Sequence, residues 1–162
     1  MKIKRATERD LTSVAQIARV SWRTTYRGLL DRATIERWLD AAYSASALQQ
    51  RWQDHPIFFV EIDDRPAAFA DVYIEGSRVV VAAMCTHPEY RRQGAATLLL
   101  DKVRSLAPAL PATVDLILGN DAGEGFVERQ GFSPGETIEV HLYGKPFLER
   151  RWWTESALMR SS

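Results

Sequence analysis

The feature that most constrains this chain is the stretch from Val79 to Leu100, which reads VVVAAMCTHP, then EYRRQGAA, then TLLL. A β-branched apolar run, a basic loop between Pro88 and Gly94, and an apolar helical pattern require a strand, a loop and the start of a helix. A fold containing this stretch sets a helix N-terminus just beyond the end of a strand. The first helical turn has N–H groups without intrahelical acceptors and lies at the positive end of the macrodipole. Arg91, Arg92, Gln93, Gly94, Ala95 and Ala96 thus offer amide donors, two guanidinium groups and small side chains. That combination suits a pyrophosphate.

Around this stretch the periodicity changes twice. Leu11, Val14, Ile17, Ala18 and Trp22 share one helical face, and the helix should end between Tyr26 and Gly28. Asp31 opens a second helix carrying Ile35, Trp38 and Leu39 inward. Ser44 or Ser46 opens a third, which His55-Pro56 ends because a residue before proline avoids the α region. Three strands follow: Ile57–Ile62, Ala67–Glu75 and Arg78–His87, joined by turns at 63–66 and at Gly76-Ser77 as an antiparallel meander. Beyond the helix that starts after Gly94, Thr113–Gly119 reads as a strand that must lie parallel to 78–87 by a right-handed crossover. Asp121 can cap a short helix holding Phe126 and Val127, with Gly131 at its C-terminus, and Thr137–Tyr143 reads as the final strand. Lys2–Ala6 reads as a short opening strand. The expected fold is α+β, a mixed but mostly antiparallel twisted sheet of about six to seven strands with helices on both faces. One domain is expected over residues 1–144, with 145–162 as a C-terminal extension.

Composition narrows the partners. With 21 basic and 21 acidic residues the net charge is zero, which removes the electrostatic case for nucleic acid or an acidic surface. The single cysteine, Cys85, permits no intrachain disulfide and fits a reducing compartment. The opening MKIKRATERD has no apolar leader-like run and no stretch is long enough to span a bilayer, so a cytoplasmic protein without a membrane partner is expected. His55, His87 and His141 have no metal-ligand spacing, and no metal is expected.

Several motifs in this order resemble the GNAT superfamily of N-acetyltransferases. Arg91-Arg92-Gln93-Gly94-Ala95-Ala96 is similar to the (Gln/Arg)-x-x-Gly-x-(Gly/Ala) loop of that family, preceded by His87-Pro88-Glu89-Tyr90. Asn120 follows the next strand, and Gly125–Phe132 (GFVERQGF) resembles the family's FYxxxGF helix and turn. Ser21–Gly28 (SWRTTYRG) resembles the helix-to-loop segment of many small bacterial members. The resemblance runs from Ile3 to Tyr143. It implies transfer of an acetyl group from acetyl-coenzyme A to a primary amine of a small molecule or peptide, by direct attack in a ternary complex. It also implies a bulge that splays strand 78–87 from strand 113–119, with the pantetheine arm bonded to backbone near Met84, Cys85 and Thr86. The pyrophosphate would lie on Gln93, Gly94, Ala95 and Ala96, flanked by Arg91 and Arg92, with Asn120 and Phe126 as further cofactor contacts.

The proton-transfer residues depart from the family pattern. Val127 stands where many members carry a tyrosine acid, and Val79-Val80-Val81 replaces an early glutamate; Glu75 is either a shifted equivalent or a solvated turn residue. Asp71, between Phe69 and Tyr73 on one strand face, is a candidate proton acceptor because burial raises a carboxyl pKa, or else bonds a nearby turn or helix N-terminus. Tyr143 is the candidate replacement acid, or a core tyrosine with its hydroxyl at the edge. Cys85, in an apolar strand, belongs to the cofactor slot or the core and not to an acyl-enzyme. Trp22, Tyr26 and the loop to Asp31 are candidates for the acceptor pocket. Trp152-Trp153 beside Arg150-Arg151 reads as an anchor for a second copy of the chain, or as packing on its own domain. Two rival readings stand beside the enzyme: a coenzyme A-binding module with weak catalysis, and an interaction domain that uses the tryptophans.

Overall fold

The computed structural model describes residues 1–157. The chain divides into two compact units, Met1–Val72 with Ala83–Asp101, and Tyr73–Ala82 with Lys102–Ser162.

In the first unit, β1 (Lys2–Arg5) leads through a single 3-10 turn into α1 (Leu11–Thr25), α2 (Arg32–Ala42) and α3 (Ala45–Asp54). Short polar side chains set these starts. The Thr7 N–H and hydroxyl both donate to Asp10 Oδ2, at 2.8 and 3.0 Å. Asp31 Oδ1 accepts from the Thr34 N–H at 2.8 Å and Ser44 Oγ from the Ala47 N–H at 3.3 Å, satisfying donors that the helices cannot. Ser44 is therefore the cap of α3, and Ser46 is not. The helices bury Val14, Ile17, Ala18, Ile35, Leu39 and Leu48 against Ile57 and Phe59 of β2 (Ile57–Ile62), Phe69 of β3 (Arg65–Glu75) and Cys85 of β4 (Arg78–Thr86). The β2–β3 turn is Asp63-Asp64, both at positive φ (51° and 60°), the backbone of a type I′ hairpin. The β3–β4 turn has Gly76 alone at positive φ, at 58°.

That two-residue turn sets Glu75 opposite Arg78, while the His87 N–H donates to the Ala67 carbonyl at 2.7 Å. Ala67 lies eight positions before Glu75 and His87 nine positions after Arg78, so β4 holds one extra residue, a β-bulge.

The second unit contains β5 (Ala112–Ile117), α5 (Asp121–Arg129), β6 (Ser133–Leu142) and β7 (Lys145–Thr154); α4 (Ala95–Leu106) begins in the first unit and ends here. β5 runs parallel to β4, with partners from Val79↔Ala112 to Val81↔Val114. The hydrogen-bonded strand order is β1-β2-β3-β4-β5-β7-β6, a seven-stranded mixed sheet in the described residues. β4–β5 is its parallel pair, as a crossover through α4 requires.

Two expectations need correction. Residues 145–154 are not an extension: they form β7, paired with β5 from Ala112↔Thr154 to Ile117↔Glu149 and with β6 on its other side. Trp152, opposite Val114, is buried, whereas Trp153, opposite Thr113 and on the other face, is 44% exposed. The two tryptophans do not act as one surface anchor. Tyr143 is not on a strand but in the β6–β7 turn with Gly144, both at positive φ (53° and 80°). Residues 158–162 of the expected extension lie outside the described residues.

Candidate functional site

β4 ends at Thr86, and the chain makes one 3-10 turn over Pro88–Tyr90 before α4 begins at Ala95. His87 fixes that turn: its Nδ1 accepts from the Glu89 N–H at 3.1 Å, and its ring lies 5.7 Å from that of Tyr90. Arg91 is extended, Arg92 has φ 64° and Gly94 has φ 90°. These two left-handed residues turn the backbone into the helix. At Gly94 the conformation, and not crowding, demands glycine, because an added Cβ would only reach ordinary contact with Met1 Cε at 3.6 Å. The first backbone acceptance in α4 is Leu98 N–H to the Gly94 carbonyl at 3.0 Å, so the Ala95 and Ala96 amides precede the ladder. Ala95 is buried, while Arg91, Arg92, Gln93 and Gly94 are exposed. Arg91 Nη2 donates to Thr25 Oγ1 at 2.9 Å, tying the loop to the end of α1. The arrangement can hold a phosphate-type anion on backbone amides with guanidinium groups beside it.

Behind Cys85 lies a buried polar cluster. Asp71 is 1% exposed, with Arg51 Nε 3.1 Å from Oδ2 and His55 Nδ1 2.6 Å from Oδ1. Arg51 and His55 thus flank the two oxygens of one buried carboxylate. Arg51 Nη1 donates to the Ala42 carbonyl at 2.7 Å, and the guanidinium sits 4.6 Å from the centre of the buried Tyr43 ring. Burial pushes the Asp71 carboxyl above its ordinary value, against the pull of His55 and Arg51. Burial also raises Tyr43, and it pushes the Cys85 thiol up to about 12, with Ser21, Arg51 and Arg91 pulling the other way. Cys85 is therefore a neutral packing thiol near neutral pH.

The sequence named Asp71 but missed its partners. Arg51 and His55 share one face at the end of α3, four positions apart, yet their common partner lies on β3, and no local pattern links the two. Trp22 stacks near Tyr26 (4.4 Å) and Trp38 (5.8 Å), partly buried on the helical core. In the second unit Asn120, not Asp121, caps α5, its Oδ1 accepting from the Gly123 N–H at 3.0 Å. Gly123 leaves room for it, since a Cβ there would lie 2.7 Å from Asn120 Nδ2. Phe126 is half-buried on α5. Val127 is buried on the inner side of α5, and its carbonyl accepts from the Phe132 N–H at 2.9 Å while Gly131 (φ 90°) donates to the Glu128 carbonyl at 3.0 Å. This is a complete Schellman end. Tyr143 is 38% exposed in its turn. Among the described residues no group of three or more His, Cys, Asp or Glu gathers as a metal site, and no helix is long and apolar enough to cross a membrane.

The acetyltransferase (GNAT) family model matches residues 12–132, from α1 to the residue after Gly131. The chain belongs to the GNAT acetyltransferase family. A spermidine N(1)-acetyltransferase from Thermoplasma acidophilum is 26% identical to this GNAT chain over 146 residues, covering 85% of it and 91% of the relative. Among solved structures, the PaiA N-acetyltransferase of Thermoplasma acidophilum in complex with coenzyme A is similar with a TM-score of 0.78 and 22% identity, covering 92% of this chain and 96% of that one. A GCN5-related N-acetyltransferase from Rhodopseudomonas palustris gives a TM-score of 0.81 at 20% identity, covering 95% and 94%. These identities establish a shared fold. The family match stops at Phe132, so the β6–β7 hairpin of this GNAT chain lies beyond it.

Proposed function

We propose that the chain transfers an acetyl group from acetyl-coenzyme A to a primary amine of a small molecule or peptide, by direct attack in a ternary complex. The observation that carries this reading is the loop into α4. Arg92 and Gly94 turn the backbone so that the helix start meets an anion, with a second guanidinium from Arg91 beside it. Family membership and the resolved coenzyme A in the Thermoplasma PaiA structure support the same donor. On this reading the pyrophosphate bonds Gln93, Gly94, Ala95 and Ala96 between Arg91 and Arg92, and the pantetheine takes backbone groups of Met84, Cys85 and Thr86 next to the β4 bulge. Asn120 and Phe126 are carried as cofactor contacts by resemblance alone. Asp71 is the proposed destination of the amine proton and Tyr143 the proposed acid for the leaving thiolate. The spermidine acetyltransferase relative supports a small amine as acceptor.

Val127 favours a second reading, an acyl-coenzyme A-binding module with weak catalysis. It is buried and committed to the α5 core, so no acid stands at that position. The deciding experiment follows free thiol release from acetyl-coenzyme A with spermidine, other polyamines, simple alkylamines and peptides with a free N-terminus. Amine-dependent thiol release with acetylated product supports the enzyme. Saturable binding of acetyl-coenzyme A with no amine-dependent release supports the module.

A further inference from the structure

The two guanidinium groups beside the start of α4 are not held alike. Arg92 is exposed, and no side-chain hydrogen bond or ion pair engages it among the described residues. Arg91 is exposed too, yet its Nη2 donates to Thr25 Oγ1 at 2.9 Å, across 66 positions of sequence. Both ends of that bond belong to the first compact unit. Resting on the acetyltransferase reading, we propose that Thr25 is the positioning residue for Arg91, holding its guanidinium ready for the pyrophosphate of the coenzyme.

The end of α1 is built for that role. Thr25 is the last residue of the helix, and Tyr26 closes it with an N–H to the Trp22 carbonyl at 3.0 Å. Trp22 packs on Tyr26 and on Trp38 of α2, with ring centres 4.4 and 5.8 Å away, so the helix end is anchored in the helical core. A β-branched side chain has few χ1 choices, and the helix therefore sets the direction of the hydroxyl. Thr24 shows the usual alternative: its Oγ1 donates back to the Val20 carbonyl at 2.9 Å, whereas Thr25 Oγ1 accepts from Arg91. The C-terminal end of a helix is also the negative end of its macrodipole, which favours a cation there. Arg91 thus joins the end of α1, through its side chain, to the start of α4, four residues along the chain.

The gain is one of pre-organisation. A guanidinium offers several N–H donors in a fixed fork, and the bond to Thr25 uses one and leaves the others for phosphate oxygens. An unheld arginine loses rotamer freedom when it closes on an anion, and that loss subtracts from affinity. Thr25 removes part of the loss beforehand. The bond is solvent-exposed, so the effect is modest, and it falls on coenzyme binding and not on the transfer step.

The test is calorimetric titration of acetyl-coenzyme A into wild type, Thr25→Val, Thr25→Ser, Arg91→Ala and the double variant of Thr25→Val with Arg91→Ala. Thr25→Val keeps the β-branched shape and removes the acceptor oxygen. The proposal expects Kd to rise about 5-fold in Thr25→Val and to return close to the wild-type value in Thr25→Ser. Arg91→Ala should raise Kd by at least as much, and adding Thr25→Val to it should change nothing further. Wild-type affinity in Thr25→Val, or tighter binding, overturns the proposal and leaves the donor site standing. The same loss from Thr25→Val in the Arg91→Ala background also overturns it, because the effect then does not pass through the guanidinium. So does a loss that Thr25→Ser fails to restore. Absence of saturable binding to wild type overturns the acetyltransferase reading itself, and this proposal with it. Should Thr25→Val not fold, Thr25→Ala takes its place in the same cycle with the same expected outcomes.

Discussion

Raising the pH from 8 to 10 should weaken the wild-type fold through one buried thiol, and Cys85→Ala should remove that loss. Burial holds the folded thiol at about 12, while its ordinary value in an open chain is 9.0. A group whose folded pKa is raised contributes stability that is fully present below the unfolded value and is lost as pH climbs toward the folded one. Here the window is pH 9 to 12. At pH 8 the unfolded chain ionises the thiol only slightly. By pH 10 it does so almost completely while the folded thiol stays protonated, which favours unfolding by about 1.3 kcal/mol at 1.36 kcal/mol per pKa unit. Cys85→Ala also loses packing in the β4 core, a roughly pH-independent cost of about 1–2 kcal/mol. The assay is urea unfolding of both proteins at pH 8 and pH 10, with the stability gap compared between the two. Tyrosines and lysines titrate in both proteins and cancel. The gap should shrink by about 1.3 kcal/mol on going to pH 10. An unchanged gap would mean that Cys85 ionises equally in the folded state, which would refute its burial behind the α1–α3 helices and reopen a nucleophilic role.

Other expectations follow from single residues. Trp152→Ala should destabilise by about 3–5 kcal/mol because the ring is buried opposite Val114, while Trp153→Ala should change stability by under about 1 kcal/mol; denaturant melts of the pair check this. Asn120→Ala should cost about 1 kcal/mol by removing the cap of α5, read as a shift in the urea midpoint without a change in slope. Gly94→Ala should cost about 1–2 kcal/mol through its φ of 90° alone, since its Cβ meets nothing closer than Met1 Cε; thermal unfolding measures it.

How much of this was legible in sequence depended on whether the cause was local. The starts of α1 to α3, the β2–β3–β4 meander and the parallel β5 follow from capping residues, proline and apolar period, all carried by neighbouring residues. The loop into α4 was legible for the same reason: its basic residues, glycine and small side chains are contiguous. The β6–β7 hairpin was not. In Lys145–Thr154 the run Glu149-Arg150-Arg151 falls on a strand exposed enough that no apolar alternation marks it. Its register is held instead by cross-strand contacts such as the paired Arg151–Asp115 bonds at 2.9 and 3.1 Å. The Tyr143-Gly144 turn was hidden by tyrosine, an unusual residue for positive φ. The extra residue in β4 follows from its pairing with β3 at His87 and Ala67, which no local residue pattern marks. His55 and Arg51 reach Asp71 across a helix and a strand, so their association is a product of the tertiary fold. Asp71 was marked by its aromatic neighbours, but that it lies buried against Arg51 and His55 could not be read from them.

The most direct test of the central claim is calorimetric titration of acetyl-coenzyme A into wild type and into Gly94→Glu, with Gly94→Ala as the control for backbone strain. The account predicts saturable binding to wild type, weaker but measurable binding to Gly94→Ala in keeping with its strain, and none to Gly94→Glu, which sets a carboxylate against the proposed pyrophosphate position. Equal affinity for wild type and Gly94→Glu would contradict the claim that this helix start holds the coenzyme.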